Sequence, residues 1–286
     1  MAKTFTIQDF FKRFPDDTAC LNHLMATRYG DKITCPKCDK ESRFARIKKL
    51  PAFSCPTCGH HIHPMAGTPF ARSRTPLQKW FYAMYMFTTT RNGVSAKELQ
   101  RQLGVTYKCA WRMGHEIRKY MTFVDGDSPL GGDKIVEIDE TRIGGKDKMG
   151  KDDKTIVMGM LERGGDVTTR IVPSVKRKSL MPHILLTVRP GTRVATDELH
   201  SYNELEFSGY QHGTVNHSKG QYVKGRVHVN SIEGFWSWLK RGIYGTHVSV
   251  SKKHMSKYLG EFEFRFNLRD QPELMFEYLL KAFPRP

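Results

Sequence analysis

Lys134-Ile-Val-Glu-Ile-Asp139-Glu-Thr141 is a short β-rich run that ends on an acidic pair, and its surroundings set the class of fold. Downstream, Thr155-Ile-Val-Met-Gly-Met-Leu161 and Val167-Thr-Thr-Arg-Ile-Val172 read as further strands, with Gly164-Gly165 as the hairpin turn between them. A helix is expected over about 178–188, and Thr192-Arg-Val-Ala-Thr-Asp197 is another strand. From Asn230 to about Ile243 the pattern is helical, with Ile232, Phe235, Trp236 and Leu239 on one side. Strands first, then helix, strand and helix predict an α/β domain, a mixed sheet with flanking helices, over residues 133–270. A tail over 271–286 would follow.

Working back toward the N-terminus, Val124-Asp-Gly-Asp-Ser-Pro-Leu-Gly-Gly-Asp133 is rich in turn formers and marks a boundary. Before it, 75–123 reads as helices. Thr75-Pro76-Leu77-Gln78 offers an N-cap Thr, a Pro at the first helical position and a Gln closing a capping box; Ser95-Ala-Lys-Glu98 offers a second box, with Leu99 and Leu103 behind it. Ser95 to Leu103, then Gly104-Val105-Thr106, then Tyr107 to Met121 has the rhythm of a helix-turn-helix. Ala110, Met113, Ile117 and Tyr120 would face inward. Lys108, Arg112, His115 and Lys119 would face outward, toward phosphates or base edges. Residues 1–30 are expected to be helical, on the spacing of Phe10, Phe11, Phe14, Leu21, Leu24 and Met25.

Between these helical regions, over 31–74, lie Cys35-Pro-Lys-Cys38 and Cys55-Pro-Thr-Cys58, separated by 16 residues. A two-residue gap lets one tight turn aim both sulfurs at one metal, so the two knuckles predict a single closed, structural Zn²⁺ site in a segment too small to fold alone. A redox motif would need only one pair, and disulfides would need an oxidising compartment. His60, His61 and His63 follow as loop residues, and Cys20 and Cys109 as buried thiols. Nine Lys or Arg against three acids between residues 31 and 75 make this zinc ribbon a candidate DNA-contacting module.

The whole chain agrees with a polyanionic partner. It carries 46 Lys plus Arg against 29 Asp plus Glu over 286 residues, a formal charge of +17, and each phosphate neutralised releases counterions. Its 39% of apolar residues exclude a disordered basic tail. The longest apolar run, Trp80 to Phe87, is far short of the roughly 20 residues that cross a bilayer, and no signal peptide is visible. No membrane partner is expected, and an intracellular location is.

Three carboxylates stand out by position. Asp139 is expected to end the first strand and Asp197 the fourth, and Glu233 lies on the helix that follows; 57 residues separate the first two and 35 the last two. Carboxylates at the ends of neighbouring strands, joined by one from a packed helix, can converge on a pair of divalent cations, which require hard oxygen ligands. Each also has a plain reading, as a turn aspartate or a capping-box glutamate.

With these residues on the page, the chain resembles the DDE transposases of bacterial insertion sequences, in the branch with an N-terminal zinc ribbon and an ISXO-like catalytic domain. The resemblance rests on the two knuckles, Val136-Glu-Ile-Asp139-Glu-Thr, Thr196-Asp197-Glu, and His228-Val-Asn-Ser-Ile-Glu233-Gly-Phe-Trp-Ser-Trp-Leu-Lys240-Arg-Gly-Ile-Tyr-Gly, and it covers roughly residues 20 to 270. It implies an RNase H-like catalytic core and carries Asp139, Asp197 and Glu233 over as ligands of two catalytic Mg²⁺ or Mn²⁺ ions. Of the acid pairs, it selects Asp139 over Glu140 and Asp197 over Glu198. Lys240 matches the Lys that relatives place seven residues after the Glu. The Arg often found four residues before that Glu is Val229 here, with Arg226 further back. With Arg241, Lys240 would steer DNA phosphates.

The implied activity is cleavage at terminal inverted repeats to expose a 3′-OH, then its transfer to target DNA, by a homodimer or higher assembly in the bacterial cytoplasm, at the nucleoid. An RNase H-like nuclease or resolvase without strand transfer, and a non-catalytic zinc-ribbon regulator, are the alternatives. His228 and Asn230 lie within reach of the site, Asn230 as the expected N-cap; His200 and His217 read as loop histidines.

Overall fold

The computed structural model describes residues 5–71, 73–126, 128–145, 154–215, 223 and 227–283. The chain divides into two compact units, one of residues 1–90, 96–120 and 271–286, the other of residues 91–95 and 121–270.

The first unit begins with α1 (Ile7–Arg13) and α2 (Asp17–Tyr29). One helical segment was expected here, but Pro15 cannot continue a helix. Asp16 restarts it, its side chain accepting from the Ala19 N–H. Phe10, Phe14, Leu21, Leu24 and Met25 are buried as the spacing predicts, whereas Phe11 is exposed. Five two-residue strands follow: β1 (Ile33–Thr34), β2 (Glu41–Ser42), β3 (Ala45–Arg46), β4 (Phe53–Ser54) and β5 (His61–Ile62). β1 pairs with β2, and β3, β4 and β5 form a three-stranded antiparallel sheet.

α3 (Leu77–Thr89) starts with Pro76 as its N-cap and no side-chain cap, so Thr75 does not close the expected box. The Thr75 hydroxyl lies 3.2 Å from Cys109 Sγ instead, and the Asp17 carboxylate takes the Gln78 N–H at 2.8 Å. Cys109 is accordingly half-buried rather than buried. α4 (Ala96–Leu103) and α5 (Tyr107–Asp125) bracket a turn in which Gly104 has φ +59°. Residues 271–286, expected as a tail, carry α9 (Met275–Lys281), and Leu279 O accepts from the Tyr120 hydroxyl at 2.7 Å.

The second unit is built on a five-stranded sheet. β6 (Val136–Ile143), β7 (Thr155–Glu162) and β8 (Val167–Val172) run antiparallel in sequence; then come α6 (Arg177–Thr187), β9 (Arg193–Thr196), β10 (Gln211–Thr214), α7 (Asn230–Arg241) and α8 (Lys252–Asn267). The order across the sheet is β10-β9-β6-β7-β8, with β9 parallel to both β6 and β10. Strand alternation divides the core in two. Val136, Ile138, Met158 and Met160 pack with α6 residues Leu180 and Ile184 on one face. Val157, Leu161 and Val167 pack with Ile232, Phe235, Trp236 and Leu239 of α7 and Met255 and Phe262 of α8 on the other.

Two expectations change here. β6 continues through the alternating Thr141 and Ile143, so Asp139 lies in mid-strand, paired with Gly159, rather than at a strand end. β10 has no apolar run to announce it, being Gln-His-Gly-Thr at a sheet edge.

Candidate active site and metal centre

Each cysteine pair sits in a knuckle closed by the same backbone bonds. Asp39 N–H donates to Cys35 O at 2.9 Å and Gly59 N–H to Cys55 O at 3.0 Å, while the N–H groups of Cys35 and Cys55 donate to Lys40 O and His60 O. The residue after each pair takes the left-handed conformation, φ +55° at Asp39 and +74° at Gly59. Glycine enters that region without a steric cost, and aspartate is among the few others that tolerate it. The four sulfurs gather within 4.8 Å of one another. Cys35 Sγ to Cys58 Sγ is 3.6 Å and Cys38 Sγ to Cys55 Sγ is 3.8 Å. A tetrahedral zinc with bonds of about 2.3 Å requires sulfurs about 3.8 Å apart, so the four cysteines are positioned to hold a zinc ion. His60 is half-buried and His61 and His63 are exposed, all outside that group. Past the ribbon, the buried Arg28 of α2 donates to Pro64 O and Ala66 O.

In the other unit, the parallel register of β6 and β9 pairs Ile138 with Thr196. The next residues along the two strands are Asp139 and Asp197. Asp197 leaves the end of β9 and accepts the Leu199 N–H at 3.1 Å, a turn role it fills as well. Glu233 is exposed in the first turns of α7. Asp139 is the electrostatic meeting point. Burial lifts its carboxyl to about 6, against the Glu140 N–H and the Trp236 indole, and the charges of Asp197 and Glu233 add to the rise. Among the described residues the three carboxylates do not form a tight single-ion cluster like that of the sulfurs. Negative charges focused on one half-buried carboxylate nevertheless make a hard-oxygen donor set suited to divalent cations. Glu140, on the opposite face of β6, is lifted to about 8 by burial and by Asp139 and Asp197.

Two supporting residues escape a reading of the sequence. Trp236, read only as a core residue, donates its indole N–H to Asp139 Oδ2 at 3.0 Å. Gly159 makes room for it: a Cβ there would lie 2.5 Å from Trp236 Cζ2. Glu137 is fully buried and takes the Ser231 and Ile232 N–H groups at 2.8 and 3.1 Å. The cap of α7 is therefore a strand carboxylate. Asn230 stands inside the helix as its first residue, after an N-cap Val229 with no side-chain bond. His228, half-buried, has Nδ1 3.2 Å from Glu137 Oε1.

The basic residues expected to touch DNA divide by exposure. Lys108, Arg112, Lys119 and Arg241 are exposed and Lys240 is half-buried. Arg112 lies 5.7 Å over the Trp80 ring, and Lys119 pairs with Glu116 at 2.8 Å. His115, expected outward with them, is buried against Trp111, ring centroids 4.0 Å apart. His200 is exposed. Arg226 and His217 lie outside the described residues.

Known proteins resemble the chain in both regions. Residues 124–267, half of the chain, match the ISXO2-like transposase domain, and residues 15–61 match the transposase zinc-ribbon domain. An uncharacterized protein in transposable element ISH50 of Halobacterium salinarum is 28% identical, over 91% of this chain and 94% of that protein. An uncharacterized transposase-like protein of Haemophilus influenzae is 36% identical over 101 residues, 35% of this chain and 80% of that protein. No helix among the described residues is long and apolar enough to cross a membrane.

Proposed function

The chain belongs to the ISXO2-like transposase family, and on that footing we propose that it binds the terminal inverted repeats of its element, cuts there to expose a 3′-OH and transfers that 3′-OH to target DNA. The observation that carries this reading is the convergence on Asp139: β6 and β9 lie side by side in parallel, α7 packs on the same face, and the charges of Asp197 and Glu233 are felt at one carboxylate. The sheet order, three antiparallel strands continued by two parallel to the first, supports an RNase H-like core.

Asp139, Asp197 and Glu233 would hold two Mg²⁺ or Mn²⁺ ions. Such ions supply positive charge to the attacking and leaving oxygens of an in-line phosphoryl displacement. The protein's own part is to hold its ligands in place. Trp236 holds one oxygen of Asp139 in place. Lys240, seven residues beyond Glu233 and thus two turns along the same helix face, would hold a DNA phosphate beside the reacting bond. Neither cleavage nor joining requires a side-chain nucleophile, because water and then the DNA 3′-OH attack. The zinc ribbon and the α4–turn–α5 helix-turn-helix would bind the element ends through Lys108, Arg112 and Lys119, with Arg241 adding a phosphate contact. Two ends must be held together, so a homodimer or higher assembly acting on chromosomal DNA in the cytoplasm follows.

The test is cleavage of labelled element ends in Mg²⁺ by the full-length protein and by Asp139→Asn, Asp197→Asn and Glu233→Gln. Loss of at least about a hundredfold in each variant, with end binding retained, supports the reading. Full cleavage by any of the three removes that residue from the site. Binding without cutting by the unaltered protein would make it a regulator.

A further inference from the structure

The α7 helix is fastened to β6 at two points, and Glu233 lies between them. At the first, the Glu137 carboxylate takes the Ser231 and Ile232 N–H groups, and the Ser231 hydroxyl at 3.0 Å. At the second, the Trp236 indole donates to Asp139. The spacings agree. Glu137 and Asp139 are two residues apart on one face of a strand, about 6.8 Å. The two anchor points on α7 are four to five residues apart along a helix, about 7 Å. A strand carboxylate thus replaces the local side-chain cap that α7 lacks, and it sets where along β6 the helix starts.

We infer that Glu137 is a positioning residue for the metal site: by clasping the N-terminus of α7 it fixes Glu233 against Asp139. The proposal rests on the reading of Asp139, Asp197 and Glu233 as metal ligands and names a fourth acid that is no ligand itself. Glu137 is fully buried, so its carboxylate is spent inside the protein. It is balanced there by Arg163, whose Nε donates to Oε1 at 2.5 Å and whose Nη2 holds His228 O at 2.8 Å. The helix dipole adds to the same balance, since the carboxylate faces its positive end. A carboxylate buried and ringed in this way supplies directional bonds, which apolar packing of α7 alone would not. Apolar contacts would allow the helix to slide by a fraction of a turn, and Glu233 with it.

The test compares the zinc-loaded protein with Glu137→Gln, which keeps size and one acceptor, and with Ser231→Ala, which removes a single bond and spares the fold. Mn²⁺ binding is measured by calorimetry, and end cleavage and end binding are measured beside it. We expect the Mn²⁺ dissociation constant to rise about tenfold in Glu137→Gln and about threefold in Ser231→Ala. Cleavage at subsaturating metal should fall in parallel, while end binding stays within about twofold. If Glu137→Gln, folded at the assay temperature, binds Mn²⁺ and cuts like the unaltered protein, the inference is overturned. If Glu137→Gln does not fold, Ser231→Ala decides: unchanged Mn²⁺ affinity overturns the inference and weakened affinity sustains it. Glu233→Gln, run alongside, separates this from the reading beneath it. Should that variant retain both Mn²⁺ binding and cleavage, the ligand assignment fails, whatever Glu137 does.

Discussion

At the scale of single residues, the site is a concentration of negative charge that the fold holds at a cost. Asp139 and Glu140 sit on opposite faces of one strand, raised to about 6 and about 8 by burial and by their acidic neighbours. An acid whose folded pKa stands above its unfolded value binds its proton more tightly in the folded state. Without divalent metal, the stability from this source is therefore greatest below the ordinary carboxylate range. It is lost as the pH climbs through about 6 for Asp139 and about 8 for Glu140. Glu140→Gln should stabilise the zinc-loaded, magnesium-free protein at pH 8 by on the order of 1–3 kcal/mol in urea unfolding, and the gain should shrink as the pH falls toward 5.5. A gain that does not change with pH would mean that Glu140 is ionised in the folded state throughout. A second residue-scale expectation concerns Gly159, where the Trp236 ring occupies the place of a side chain. Gly159→Ala should cost about 1–3 kcal/mol and shift the tryptophan fluorescence, since the indole must leave Asp139 to make room.

At the scale of elements, the knuckles show how much a short motif can carry. Each is a turn whose closing residue must be left-handed, and the chain meets that need once with glycine and once with aspartate. Gly59→Ala should destabilise the ribbon by about 1 kcal/mol although open space surrounds it, and Asp39→Gly should not. Zinc release on titration of the thiols reads both, and equal behaviour of the two variants would contradict the turn geometry. The strands and helices of the sheet domain were legible for a related reason. β-Branched runs separated by Gly-Gly, and Ile232, Phe235, Trp236 and Leu239 at helical spacing, are local patterns that the tertiary structure keeps.

What the sequence hid depends on pairing across the chain. Asp139 looks terminal because Glu-Thr-Arg breaks the apolar run, yet the ladder with β7 carries the strand on to Ile143. β10 is polar and owes its conformation to the parallel edge of β9. Asn230 is a good N-cap by composition, but Glu137, 93 positions earlier, performs that task on the next two N–H groups. His115 shares the face of the basic residues in the helical count, but it is buried, with its ring against Trp111. The partners of Glu137 and Trp236 could have been found only by folding α7 onto β6. The one sequence signal was an acid two residues before Asp139, on the same face of the strand.

At the scale of the molecule, a charge of +17 is carried by a chain whose candidate active site is acidic. In the proposed reading the two signs have different tasks: the acids around Asp139 would hold metal, and Lys108, Arg112, Lys119 and Arg241, all exposed, would meet phosphates. If these four and Lys240 each neutralise one phosphate, the logarithm of end-binding affinity should fall with the logarithm of salt at a slope of about −4 to −5. Arg112→Ala should flatten that slope by about one unit, and a slope unaffected by it would place Arg112 off the DNA. The central claim is that this chain joins DNA as well as cutting it. It is tested most directly by incubating the purified protein with Mg²⁺, a pre-cut element end bearing a free 3′-OH, and a supercoiled plasmid. We expect the labelled end to become covalently attached to the plasmid, and Glu233→Gln to form no such product. Cleavage of uncut ends with no joined product from the pre-cut end, in either Mg²⁺ or Mn²⁺, would contradict the account and leave a nuclease.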